Sequence, residues 1–329
     1  MNITVEQGNL LASSADTIII NLFEGVTTPG GATGAVDSAL NGAISDLIAG
    51  GDFSGKAGEI AVLYPREAIN ARRVRLAGLG KLDDFNLEGV RQAAATAVKR
   101  ARDLQANHVA TIVHGAGIAG LPVAAAAQAT VEGTLLALHR YPAPKQKNEE
   151  AHDIENLSIV EFNTDKIDAV EEGVIVAQAL AAGVTLARDL VNMPANQATP
   201  THMANTAQAI AGEHGLDSFV GGRKWARSQN MGAFLAVAQG AGEKPKFIVL
   251  EHNGDQPQMD TIVLVGKGIT FDTGGISLKP VAGMGAMKGD MGGAAAVLGA
   301  MKVIADLDLP LHVVAITPCT ENMPDADAY

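Results

Sequence analysis

At 329 residues and a formal net charge of −12, the chain is too long for one ordinary core and too acidic for a sequence-independent hold on nucleic acid, which needs clustered Lys and Arg. Its 47% hydrophobic and 18% charged content excludes disorder, while 37 glycines and only 4% aromatic residues suit packed α/β domains with tight strand-to-helix turns. Cys319 is the one cysteine, so no disulfide or thiolate cluster forms within the chain, and a reducing, cytoplasmic setting is expected.

The N-terminus, Met-Asn-Ile-Thr-Val-Glu-Gln, has no basic region ahead of an apolar core, and the apolar stretches elsewhere are broken by Gly, charged or polar residues. No signal peptide, membrane span or membrane partner is expected. Thr17–Phe23, Glu59–Tyr64, Arg73–Leu79 and His108–His114 are short apolar or β-branched runs ended by turn residues, and predict strands. Between them Ala35–Ala49, Asn86–Leu104 and Val123–Leu138 carry helical spacing, the second behind Asp84 and Asn86 as candidate caps. This alternation predicts mostly parallel sheets covered by helices.

Tyr141–Glu150 is polar and proline-bearing and reads as a surface crossing; Asn156–Phe162 is one more strand, and Lys166–Leu190 a long helix that joins two domains, residues 1–164 and 165–329. A helix after Thr199-Pro200, strands at Lys246–His252, Thr261–Val265 and His312–Thr317, and a helix from Gly292 to about Asp306 complete the alternation. Ile262–Val265 in particular reads as a buried strand.

The segment with chemistry runs from Leu264 to Val297. A strand gives way to a glycine-rich excursion that holds Lys267, Asp272, Lys279, Lys288 and Asp290. Ligands of open α/β sheets sit at the carboxyl ends of strands, so these groups stand where a site is expected. Singly, each has a plainer explanation: Asp290 as the cap of the following helix, Asp272 as an Asx-turn residue, the lysines as solvated surface groups. Together, two carboxylates and one lysine can grip a hard divalent ion, provided that the lysine binds as a neutral amine, a form that burial and a nearby cation both favour.

Val265-Gly-Lys-Gly-Ile-Thr-Phe-Asp-Thr-Gly-Gly-Ile-Ser-Leu-Lys-Pro280 and Met287-Lys-Gly-Asp-Met-Gly-Gly293 resemble the signature of the leucyl aminopeptidase (cytosol aminopeptidase, M17) family. Leu190-Val-Asn-Met-Pro-Ala-Asn196, Asn230–Gly240 and Glu321-Asn-Met-Pro324 support it, and the first half resembles, more weakly, the family's N-terminal α/β domain. The resemblance implies a metal-dependent release of N-terminal residues, leucine-type, from peptides with a free N-terminus. It implies two divalent ions, Mn²⁺ or Zn²⁺, and a homo-oligomer, hexameric in the family. On the matching positions, Lys267 is implied as a ligand of the exchangeable metal, Asp272 as a bridging carboxylate and Asp290 as a further ligand. Lys279 is implied as the catalytic lysine that polarises the scissile carbonyl.

The family's later motif, Asn-Thr-Asp-Ala-Glu-Gly-Arg, is not met before Tyr329; Asn163-Thr164-Asp165 copies three letters of it in the wrong domain. An incomplete catalytic domain is therefore expected, with an exposed strand edge and impaired activity. Gly285-Ala286 also departs from the acidic residues common there. A non-catalytic relative that serves binding or assembly is the alternative. A nucleotide-binding loop at Gly78-Leu79-Gly80-Lys81 is disfavoured, because Leu82 stands where Ser or Thr is wanted. No His-Glu-x-x-His pair or Gly-x-Ser-x-Gly elbow is present. Cys319 is expected as a small core residue and Trp225 as a packing aromatic, not a nucleic-acid contact.

Overall fold

The computed structural model describes residues 1–142, 152–256 and 258–328. The crossing expected over Tyr141–Glu150 lies, after its first two residues, outside them. By packing, the chain forms two units, divided between Gln178 and Ala179.

The first unit contains β1 (Asn2–Gln7), β2 (Thr17–Leu22), α1 (Gly31–Ala39), α2 (Ala43–Gly50), β3 (Ile60–Leu63), β4 (Arg73–Gly78), α3 (Leu87–Asp103), β5 (His108–Thr111), α4 (Val123–Leu138), β6 (Asn156–Glu161) and the start of α5 (Ile167–Asn192). Its sheet runs β1-β6-β5-β2-β4-β3, parallel except for β3. Alternate residues of β2 explain the layers. Ile18 and Ile20 join Val36 and Ile44 of α1 and α2 in one core. Ile19 points the other way, into a core with Ala97 and Val98 of α3, Val131 of α4 and Val174 of α5. A strand covered on both faces needs an apolar run without alternation, which Thr-Ile-Ile-Ile-Asn-Leu supplies.

Local chemistry sets the helix ends. Asn86 caps α3, its Oδ1 accepting from the Glu88 and Gly89 amides. The helix expected over Ala35–Ala49 is broken into α1 and α2, because Asn41 and Gly42 adopt positive φ (55° and 88°). That Asn-Gly pair is a turn signal which outweighs the helical spacing around it. Asp37 then caps α2 from the preceding helix, accepting from Ile44 and Ser45 amides at 2.8 and 3.1 Å.

The second unit holds the rest of α5, α6 (Pro200–His214), β7 (Asp217–Gly221), α7 (Arg223–Ser228), α8 (Gly232–Val237), β8 (Lys246–His252), β9 (Thr261–Val265), β10 (Gly268–Asp272), α9 (Gly292–Asp306) and β11 (His312–Asn322). Its sheet is mixed, in the order β10-β11-β8-β7 with β9 also on β11. The long β11 organises it. Its first half pairs parallel with β9 and its last residues pair parallel with β10, while β8 lies antiparallel on its other edge. The core beneath joins Leu190, Met203, Ile248, Leu250, Leu298 and Cys319.

Ile262–Val265 is a strand but not a buried one. Ile262, Val263 and Val265 are 43%, 51% and 69% exposed, because among the described residues β9 pairs with β11 alone and its other edge carries no partner. α5 also departs from expectation, being long and apolar enough by length and composition to cross a membrane. Val170, Val174 and Ala177 of that helix enter the first core and Leu190 enters the second. Cys319 and Trp225 behave as the sequence predicts. The thiol is fully buried, which pushes its pKa up to about 12, and the indole packs edge-on against Phe219 and tilted against Phe247, with ring centroids 4.9 and 5.2 Å away.

Candidate metal centre

The glycine-rich stretch is only partly a loop. Gly268–Asp272 forms β10, and Asp272 ends it opposite Asn322 of β11. Glycine is needed where β10 starts, since a Cβ at Gly268 would stand 2.6 Å from Cys319 Sγ and 2.7 Å from the Pro318 carbonyl oxygen. The register shifts once, between Ile269 and Phe271, so four steps from Gly268 to Asp272 match three steps from Cys319 to Asn322. One extra residue reverses the facing of all that follow it. Lys267 and Asp272 lie on either side of this shift.

The four candidates form two ion pairs. Lys267 Nζ, just before β10, donates to both oxygens of Asp290 at 2.7 Å. Lys279 Nζ donates to Asp272 Oδ2 at 2.6 Å, and lies 3.2 Å from the Asp272 carbonyl oxygen and from Met287 Sδ. Asp272 neither bonds to nor ion-pairs with Lys267 or Asp290. Among the described residues no three His, Cys, Asp or Glu side chains are gathered closely enough to hold an ion.

The plainer explanations separate on geometry. Asp290 does not cap α9, since the residue ahead of that helix is Met291 and no side chain caps its start. Asp272 is an Asx-turn residue, accepting from the Gly274 amide at 3.0 Å, but it also receives Lys279. Burial alone would push the Asp272 carboxyl up; the hydrogen bonds from Lys279, Gly274 and Asn322 outweigh it and hold the pKa below the usual range. The carboxylate therefore stays ionised and fixed in orientation, the state a cation requires. Gly274 (φ 93°) turns the chain back so that Lys279 can return to Asp272, its amide bonding to the Thr273 carbonyl at 2.8 Å.

Two functional neighbours carry no role in the sequence reading. Asn322 Nδ2 donates to Asp272 Oδ1 at 2.7 Å; the cross-strand register pairs these residues, and only the fold reveals it. Met287 meets the Lys279 ammonium through sulfur. Lys288, noted only as part of the cluster, instead donates to the Asn192 carbonyl at 2.6 Å and ties the segment to the end of α5.

Two carboxylates and one amine are donors of the kind that hard and borderline divalent ions accept. The donor types suit such an ion on one condition, that Lys267 binds as a neutral amine. At 57% exposure its side chain is open to solvent, so an arriving cation can compete for Asp290 without disturbing the core.

Comparison with known proteins places the whole chain in one family. The model of the cytosol aminopeptidase family N-terminal domain matches residues 19–148, and that of the catalytic domain matches residues 185–329. A probable cytosol aminopeptidase of Roseiflexus castenholzii is 40% identical over 100% of this chain and 65% of its own length. One of Burkholderia lata is 43% identical over 98% of this chain and 64% of its own. The chain thus spans about 65% of the length of the curated relatives it matches. A mutant tomato leucine aminopeptidase superposes with a TM-score of 0.85 at 28% identity, covering 100% of this chain and 64% of that one. The bottromycin maturation enzyme BotP in complex with Mn gives 0.77 at 32% identity over 95% and 61%. With both of the family's domain models matched in order along one chain and both of its sheets built as α/β units, the chain belongs to the cytosol aminopeptidase family.

Proposed function

We propose that this chain is a metal-dependent aminopeptidase, cytoplasmic and hexameric, that releases leucine-type N-terminal residues from peptides at a dinuclear centre. Lys267, Asp272 and Asp290 would supply ligands and Lys279 would be the catalytic lysine. The observation that carries this reading is the pairing of Lys279 with Asp272 at the carboxyl end of β10 and of Lys267 with Asp290 just past the carboxyl end of β9, where α/β sheets place their ligands. The Mn-bound BotP structure is a further support.

Bound divalent ions would lower the pKa of a water nucleophile and hold the peptide's amino group. The protein's own part is then positional. Asn322 and the Gly274 amide hold Asp272 in one orientation. Lys279, drawn toward Asp272 and backed by Met287, keeps a positive charge beside the place where negative charge develops on the carbonyl oxygen. Two carboxylates and a lysine are few ligands for two ions, so residues 1–329 by themselves should bind metal weakly and turn over slowly.

The test is to purify residues 1–329, add Mn²⁺ or Zn²⁺, and measure bound metal together with leucyl-anilide cleavage. Metal bound by the parent and lost in Asp272→Asn, with slow cleavage lost in Lys279→Met, is the expected result. Absence of bound metal at millimolar concentration, or fast cleavage that survives Lys279→Met, would sink the assignment.

A further inference from the structure

The first unit buries two arginines on one face of β4. Strand alternation sets Arg73, Arg75 and Ala77 on the same side, while Val74 and Leu76 enter the opposite core. Ala77 shares a core with Ala97, Val98 and Ala101 of α3, so Arg73 and Arg75 stand on the face of β4 that α3 covers. Arg75 is 0% exposed and Arg73 is 8% exposed. Arg75 Nε, Nη1 and Nη2, with Arg73 Nε, are buried with no hydrogen-bond acceptor from the protein among the described residues.

A guanidinium cannot answer burial by losing its proton, as a lysine can, so its donors need acceptors. The charges nearby aggravate the problem. Burial, Arg73 and Arg100 together lower the Arg75 pKa to about 10, and the acid at this end, Asp103, is engaged by Arg102 at 3.2 Å. Water would satisfy the donors but leave two neighbouring positive charges unscreened. An oxyanion satisfies donors and charge at once, and its geometry suits the fork of a guanidinium. Tyr64, Arg66, Glu67, Asn70 and Arg72 line a cavity of about 520 Å³ at the loop between β3 and β4, and Arg72 adjoins Arg73 in sequence. In a chain of net charge −12, this end of the sheet is locally basic.

We propose that Arg73 and Arg75 form a binding site for a tetrahedral oxyanion of the inorganic phosphate kind, between β4 and α3. The site is separate from the metal centre and does not depend on the aminopeptidase reading.

Inorganic phosphate is titrated into the 329-residue chain at constant ionic strength, with chloride as the balancing anion, and followed by calorimetry and phosphorus NMR line width. One saturable site is expected, together with a thermal midpoint that rises with phosphate and not with chloride. Arg75→Met keeps the length of the side chain without its donors, and should fold yet bind phosphate at least about tenfold more weakly, the scale of one charged hydrogen bond. Arg73→Gln, at a less buried position, should weaken binding by a similar factor and serves if Arg75→Met does not fold. Phosphate that fails to bind above chloride in the parent, or binds equally well to the folded variants, overturns the site.

Discussion

Lys267 Nζ lies 2.7 Å from both carboxylate oxygens of Asp290, a symmetric contact made across the junction of β10 and α9. The lysine is 57% exposed, and an ion pair so open to water contributes only about 0–1 kcal/mol to stability. The pair is therefore poorly explained as a structural clamp. Asp290→Asn should leave the thermal midpoint of unfolding nearly unchanged and weaken Mn²⁺ binding by at least about tenfold. Scanning calorimetry and metal titration on the same preparation separate the two effects; a large loss of stability without a change in metal affinity would make the contact structural.

Asn322 positions Asp272 through a 2.7 Å hydrogen bond across the β10 and β11 pair. Removing the amide takes one of two donors from Asp272 Oδ1, leaving that oxygen to the Gly274 amide and Oδ2 to Lys279. Asn322→Ala should weaken metal binding about 10- to 100-fold, as loss of groups that orient a metal ligand does elsewhere. Asn322→Asp keeps the size but sets two carboxylates against each other, so it should not rescue. Equal metal affinity in parent and Asn322→Ala would remove this residue from the site.

The core strands and capped helices were legible because local chemistry and tertiary packing agree there: Asn86 caps α3, Thr199-Pro200 opens α6, and β2 is built around the apolar run Ile18–Ile20. Three strands were not legible. β1 is an edge strand with mostly exposed residues, β7 is exposed along most of its length, and β10 is a strand written in loop residues, Gly-Ile-Thr-Phe-Asp. Their hydrogen-bond partners are remote in sequence, so pairing creates them rather than periodicity. At the site, the sequence marks Lys267, Asp272, Lys279 and Asp290 as one group, and the structure pairs them two by two. Asn322 was not, since its place opposite Asp272 depends on a register shift that no spacing reveals.

Gly183 of α5 and Gly299 of α9 let the two helix backbones meet. A Cβ at Gly299 would stand 2.5 Å from the Gly183 carbonyl oxygen, and one at Gly183 would stand 2.5 Å from the Gly299 oxygen and from Val303 Cγ2. Backbone atoms cannot yield as a flexible side chain does, so the helices must separate. Gly299→Ala should cost about 1–3 kcal/mol, and Gly299→Val more, read from urea unfolding midpoints. A neutral Gly299→Ala would mean that α5 and α9 slide apart without loss of packing.

His114 makes the stability of the first unit depend on pH. Its ring is buried, which lowers its pKa to about 4, and Asn21 Nδ2 lies 2.7 Å from Nδ1, a bond that needs the ring neutral. Unfolded, the ring takes up its proton near pH 6.5. Above that pH both states are neutral and the group contributes no pH dependence. Between pH 6.5 and about 4 the unfolded state holds the extra proton, so stability falls as pH falls, by roughly 3 kcal/mol across the interval, and then levels off. His114→Gln retains a polar group near Asn21 without the titration. The remaining histidines are common to both proteins, so the difference between their stability curves isolates this one. Denaturant unfolding from pH 7.5 to 4 should show the parent losing stability relative to His114→Gln throughout that window; parallel curves would mean that His114 is protonated at no cost in the folded state.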